Sequence, residues 1–71
     1  MKRIELINGY ELEGNDNFNT VLILTQEINH LMKIAYDGAL GNGSESDAMD
    51  ERDDVFDEFE DKLEELGWKL I

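Results

Sequence analysis

Carboxylate side chains are the residues of this sequence with the greatest capacity for chemistry, and they concentrate in one segment. Residues 45–65 contain 12 Asp and Glu residues against two bases, Arg52 and Lys62, so this segment carries a net charge of −10. The whole chain of 71 residues has 18 acidic and six basic residues, a net charge of −12. Closely spaced carboxylates can bind metal ions, transfer protons or pair with the cations of another molecule.

The spacing of these acids matches one face of an α-helix. Five acids at spacings of four, three, four and four residues form an outward ridge: Asp50, Asp54, Asp57, Asp61 and Glu65. Three further acids flank the ridge: Asp53, Glu58 and Glu64. These eight are the predicted partner-binding residues. Exposed helices usually alternate acids with bases at i and i+4, whereas like charges at these positions destabilise the helix. A local rule that is broken at a cost in stability indicates a function.

The density of charge suggests what that function is. Twelve acids along about 30 Å of helix, at ~1.5 Å per residue, place one negative charge every ~2.5 Å. Duplex DNA carries one charge per ~1.7 Å of its axis. We therefore expect the helix to compete with nucleic acid for a basic protein surface. The alternative is an acidic surface that serves solubility alone.

The stretch Asp-Ala-Met-Asp-Glu-Arg-Asp-Asp-Val-Phe-Asp-Glu-Phe-Glu-Asp, residues 47–61, lies in a small chain without Cys. It resembles the acidic nucleic-acid-mimic inhibitors that phages and other mobile elements encode against CRISPR effectors, restriction enzymes and DNA-repair enzymes. The resemblance covers about residues 45–65 and lies in composition, so no residue roles transfer from a family. It implies a non-enzymatic anti-CRISPR or anti-restriction type of inhibitor, whose partner is a basic nucleic-acid-binding protein in the host cell cytoplasm.

Other chemistries have weaker support in the sequence. Residues 47–58 lack the central Gly of an EF-hand calcium loop, and Val55 and Phe56 interrupt the acids. Glu27 and His30 match the Glu-x-x-His motif of di-iron bundles, but the chain has only one His. No nucleophilic triad or phosphate-binding loop is indicated. We expect no catalytic residues, no metal and no cofactor.

Composition limits the partners and the setting. The net charge argues against direct binding of nucleic acid or of anionic membranes, and no run of 18 apolar residues could span a bilayer. The N-terminus lacks the apolar stretch of a signal peptide, and the absence of Cys is typical of a reducing compartment. We expect a complete cytoplasmic protein of one domain, residues 1–71. Formation of a homodimer through apolar surface that the small core leaves exposed is an alternative.

The elements that must position the acids follow from pattern. Residues 2–13 predict a β-hairpin around Asn8-Gly9. A three-residue loop, Ile7 to Gly9, would pair Leu6 with Tyr10 and Ile4 with Leu12, so that four apolar side chains share one face.

The remaining segments predict two helices and a short strand. Apolar spacing over residues 18–37 favours one helix, although a strand over 20–25 followed by a helix is the alternative. Residues 38–46 predict a flexible Gly/Ser-rich link, 47–66 the acidic helix with a narrow apolar stripe, and 68–71 a short third strand. The expected fold is α+β, a hairpin packed on two helices, with a three-stranded meander followed by helices as the alternative.

A second functional hypothesis comes from another class of protein. In this hypothesis the chain is a small regulatory adaptor that binds its partner through apolar surface, and the acids serve solubility. Reversal of the helix charges separates the two hypotheses, because only the mimic needs those charges for affinity.

Overall fold

The fold is α+β, as the sequence predicts. A computed structural model describes residues 1–71. Its elements are β1 (Lys2–Glu5), β2 (Glu11–Gly14), α1 (Phe18–Asn42), α2 (Glu45–Glu65) and β3 (Lys69–Leu70). The three strands form an antiparallel sheet in the order β1-β2-β3. The two helices pack against each other, and the molecule measures 39 × 19 × 17 Å.

The hairpin has the predicted register. Ile4 pairs with Leu12 and Arg3 with Glu13, while the Leu6 amide donates to the Tyr10 carbonyl at 2.8 Å. Gly9 closes the loop with a φ of +88°, a left-handed conformation that favours glycine. The pattern of apolar side chains therefore determined the loop length, because another loop would have placed Leu12 on the solvent face.

Helix α1 replaces the alternative of a strand over residues 20–25, which is wrong. The buried side chains of α1 are Val21, Thr25, Ile28 and Met32, at the three- and four-residue spacing of one helix face. The apolar run at its start therefore has helical periodicity, with Val21 and Thr25 in the core and Ile23 exposed, rather than the alternation of a strand. Asn17 occupies the N-cap position without a capping side-chain bond, and its Nδ2 donates to the Leu66 carbonyl instead.

The flexible link predicted over residues 38–46 is also wrong. Helix α1 continues through Asn42 and α2 begins at Glu45, so only Gly43 and Ser44 separate the two helices. Ser44 accepts from the Asp47 amide at 3.3 Å, and Asp47 accepts from the Ser44 amide, which forms a capping box. Glycine costs about 1 kcal/mol in a helix interior, and α1 nevertheless includes Gly38 and Gly41, where an added Cβ would meet open space. On α2, Ala48 is fully buried.

The end of α2 is a Schellman turn that places Trp68. The Gly67 amide donates to the Glu64 carbonyl and the Trp68 amide to the Leu63 carbonyl, with Gly67 at a φ of +88°. The chain then enters β3, which pairs Leu70 with Leu12 of β2. The predicted third strand is thereby confirmed at the edge of the hairpin.

One core joins the sheet and both helices. Its nine buried side chains are Ile4, Leu6, Leu12, Val21, Ile28, Met32, Phe56, Leu63 and Trp68. Trp68 is the largest fully buried side chain, its Nε1 donates to the Asp16 carbonyl, and its ring lies 6.0 Å from that of Phe18. The indole lies against Gly14, where an added Cβ would approach it to 2.6 Å. Glycine at position 14 is therefore a packing requirement.

Replacing Gly14 with alanine should destabilise the fold by about 1–3 kcal/mol, because the new methyl group overpacks the Trp68 ring. The matched control is Gly38→Ala in α1, where a Cβ meets nothing within 4 Å. This control should stabilise the protein by about 0.5–1 kcal/mol through helix propensity. Urea unfolding of the two variants measures both effects, and equal stabilities would contradict the packing described for Trp68.

Candidate partner-binding face of α2

Helix α2 has one buried side and one acidic side. Ala48, Phe56 and Leu63 are its buried residues, and the ridge predicted from the sequence lies on the opposite side. Seven of the eight predicted partner-binding residues are exposed, and together they form what we call the acidic face: Asp50, Asp54, Asp57, Glu58, Asp61, Glu64 and Glu65. The structure therefore brings these seven carboxylates together on one helix surface.

The carboxylates of the acidic face have no cationic partner within the protein. The only ion pairs within 4.0 Å are Arg3 with Glu11 and Arg52 with Asp53. Lys62, the other base of α2, is exposed and forms no such pair. The negative field of the face is thus not neutralised by near contacts, and water and counterions are left to screen it.

Asp53, the eighth predicted residue, has a different environment. Its side chain is 39% exposed, and its Oδ1 accepts from Arg52 Nε at 3.4 Å and from Asn8 Nδ2 at 3.5 Å. The first contact is within α2, whereas the second comes from the β1–β2 loop. Asp53 therefore links the hairpin loop to α2 through a long contact and has less freedom to meet a partner than the exposed acids have.

Arg52 is a structural residue, whereas the sequence pattern predicts only a base among the acids at this position. Its side chain is 17% exposed, and its guanidinium lies 5.6 Å from the centre of the Tyr36 ring on α1. The spacing in the sequence indicates this structural role, because Arg52 lies four residues from both Ala48 and Phe56. That spacing places the stem of Arg52 on the buried side of the helix.

The hairpin loop also contacts α1 and so fixes how α2 is turned. The Ile7 amide donates to Asn29 Oδ1 at 3.1 Å, and Asn8 Oδ1 accepts from the Tyr10 amide at 3.2 Å. Tyr10 meets Phe56 edge to face, with ring centres 5.5 Å apart. These contacts hold the buried side of α2 against the loop, and consequently the acidic face points to solvent.

Two open hollows border α2. One of about 520 Å³ is lined by Glu60, Glu64, Gly67, Trp68, Lys69 and Leu70. The other, of about 370 Å³, lies near the Gly43–Ser44 connection, with Asp47 and Glu51 on its acidic side. The first hollow adjoins the acidic face at Glu64, and its apolar side is formed by Trp68 and Leu70.

The residues considered for metal binding and for nucleophilic chemistry are not clustered in the structure. No group of three or more His, Asp or Glu side chains is arranged to hold a metal ion. Glu27 and His30 are both exposed on α1, and the Ser44 hydroxyl is engaged in the capping box. No helix combines the length and the apolar character needed to cross a membrane.

Comparison with protein families, with curated proteins and with solved structures finds no match to this chain.

Asp53 and Asp57 should respond differently to replacement with alanine. Asp53→Ala removes the acceptor shared by Asn8 and Arg52 and should destabilise the fold by about 1 kcal/mol. Asp57→Ala removes an exposed carboxylate surrounded by like charges, so the stability should change by at most about 0.5 kcal/mol. Thermal unfolding of both variants tests this, and a loss at Asp57 equal to that at Asp53 would show that Asp53 has no special structural role.

Proposed function

We propose that this protein is a non-enzymatic inhibitor whose acidic face occupies the nucleic-acid-binding surface of a basic partner, such as a CRISPR effector or a restriction enzyme. One observation carries the proposal. Seven exposed carboxylates lie on one side of a single helix and none has a cation of this protein within 4.0 Å. An unpaired line of charge is available to the Arg and Lys side chains of a partner.

The energetics favour such a partner over a neutral one. A dense negative line steers a cationic protein toward it and raises the association rate, most strongly at low salt. A dense line of carboxylates attracts counterions as the phosphates of DNA do, and the release of these counterions when Arg and Lys side chains pair with the carboxylates adds to affinity at low salt. The acids that cost helix stability in the free protein would thus contribute to affinity in the complex.

Rigidity supports the same proposal. The acidic face belongs to a helix that is capped at Ser44, ended by the turn at Gly67 and fixed to the hairpin loop through Asp53. A preformed surface loses less conformational entropy on binding than a disordered acidic tail would. The narrow cross-section of 19 × 17 Å suits entry into a groove or channel. The proposal places the protein in the cytoplasm of a host cell, where nucleic-acid-processing enzymes work.

Charge reversal on the acidic face should greatly weaken binding to the partner. The variant Asp54→Lys, Asp57→Lys and Asp61→Lys raises the net charge from −12 to −6. The wild type and the variant are compared against a panel of purified CRISPR effectors and restriction enzymes. An enzyme that binds the wild type should bind the variant about a hundredfold more weakly, and the affinity should depend less steeply on salt. Immobilised protein, titrated with each enzyme at several salt concentrations, gives both quantities, and duplex DNA should displace the enzyme.

The matched control changes the same number of charges away from α2. Asp16, Glu27 and Asp37 are exposed acids outside that helix, and their joint change to Lys gives the same net charge of −6. This control should keep most of the affinity. Equal binding by the two variants, or binding that DNA does not displace, would refute the mimic.

A second candidate function has one observation in its favour. Ile23 and Ile34 are 67% and 56% exposed, and their spacing of 11 residues places them on the same outer side of α1. They support a regulatory adaptor that binds a partner through apolar surface, with the acids serving solubility. In that case Ile23→Ser with Ile34→Ser would weaken partner binding more than the charge reversals would.

A further inference from the structure

The outer edge of β1 has unpaired backbone groups in a regular pattern. The Leu6 amide bonds to Tyr10 of β2, and residues of an antiparallel pair alternate between bonding toward and away from each other. Lys2, Ile4 and Leu6 therefore bond toward β2, whereas Arg3 and Glu5 point their N–H and C=O groups outward. The Glu11 carbonyl, opposite Glu5, bonds to Ile71 on the other side, as this alternation requires.

The side chains of Arg3 and Glu5 are not fully matched within one copy. Arg3 contacts Glu11 at 3.8 Å, while Glu5 lies directly opposite Glu11 in the sheet and has no cation within 4.0 Å. Like charges directly opposite each other destabilise a strand pair. Glu5 thus has a repulsive neighbour on β2 and an open position on the outer edge.

A second copy of this chain fits that position in one register. If two β1 strands pair antiparallel about Ile4, Arg3 of each copy faces the partner's Glu5. Each of these two pairs has both backbone groups pointing across the edge, so each can form two backbone hydrogen bonds. The exposed apolar residues Met1 and Ile7 flank the charges, and the same register brings Met1 near the partner's Ile7.

The neighbouring registers are less favourable. A shift of two residues in one direction places Arg3 opposite the partner's Arg3, and a shift in the other direction places Glu5 opposite the partner's Glu5. A shift of one residue brings together opposite faces of the two sheets. Charges on an edge strand ordinarily prevent pairing, but here the order Arg3, Ile4, Glu5 is self-complementary when read antiparallel.

We propose that the chain forms a homodimer through antiparallel pairing of β1 with β1 of a second copy, centred on Ile4, with Arg3 paired to the partner's Glu5. This forms one six-stranded sheet from two three-stranded sheets. The interface is small, so the dimer is weak and forms at high protein concentration. The proposal does not depend on the acidic face, and its test is separate from that of the inhibitor.

Two single charge reversals test the pairing. Arg3→Glu gives each edge two acids, and Glu5→Arg gives each edge two bases, so both symmetry-related pairs become repulsive. Each variant should raise the dimer dissociation constant about tenfold or more. Sedimentation equilibrium up to millimolar concentration measures this, and the wild type should approach twice the chain mass of 8.2 kDa.

Two rescue experiments make the test specific. An equimolar mixture of the two single variants should form a heterodimer, because the acidic edge of one faces the basic edge of the other. The double variant Arg3→Glu with Glu5→Arg should dimerise like the wild type, since the order of charges is reversed but still self-complementary. A merely unfolded variant would not be rescued in either way.

Folding is monitored by far-UV circular dichroism during urea unfolding. Glu5→Arg removes the repulsion with Glu11, so it should stabilise the monomer while it weakens the dimer. A wild type that stays monomeric at millimolar concentration overturns the proposal. So does a dimer that the single reversals leave unchanged, or a mixture of the two variants that fails to associate.

Discussion

The packing of Trp68 on Gly14 is the contact on which the rest of the structure depends. It joins Trp68, three residues after the end of α2, to Gly14 at the end of β2, and the indole Nε1 also donates to the Asp16 carbonyl just before α1. The Schellman turn at Gly67 is what aims the indole inward. Because sheet, loop and both helices meet at this ring, the direction of α2 is determined at its C-terminal end. The hairpin-loop contacts with Asn29, Asp53 and Phe56 then fix the rotation of α2, so that its carboxylates face outward.

The structure separates what holds α2 in place from what it presents to solvent. Its core contribution comes from a narrow set of side chains, Ala48, Phe56 and Leu63, on a helix with a net charge of −10. Such a helix would be poorly stable alone, since like charges at i and i+4 repel. Tertiary contacts supply the stability instead, through the core and through the polar contacts of Arg52 and Asp53. Repulsion in the free protein is therefore tolerated rather than relieved.

Much of this fold could be predicted from the sequence, for physical reasons that differ by element. The hairpin register followed from placing Ile4, Leu6 and Leu12 on one face, because strand periodicity leaves no intermediate choice. The acidic ridge followed from helical spacing, which is a local property. The continuation of α1 through Gly38 and Gly41 could not be predicted, because glycine has low helix propensity and a Gly/Ser-rich stretch is typical of a loop. The role of Asp53 likewise needed Asn8, which is 45 residues away in sequence.

The two-residue connection at Gly43 and Ser44 has a consequence for how the protein moves. The hairpin loop reaches the helices at Asn29 and Asp53, so the segments between those residues and the connection have mainly each other to pack against. Backbone amides there should open by local fluctuation and exchange with deuterium sooner than amides near Leu63 and Trp68. The C-terminal end of α2 is then locally more stable than its N-terminal end. A partner that contacts the acidic face near Leu63 would meet a rigid surface. A partner that contacts it near Asp50 would meet a helix end that adjusts its position on binding.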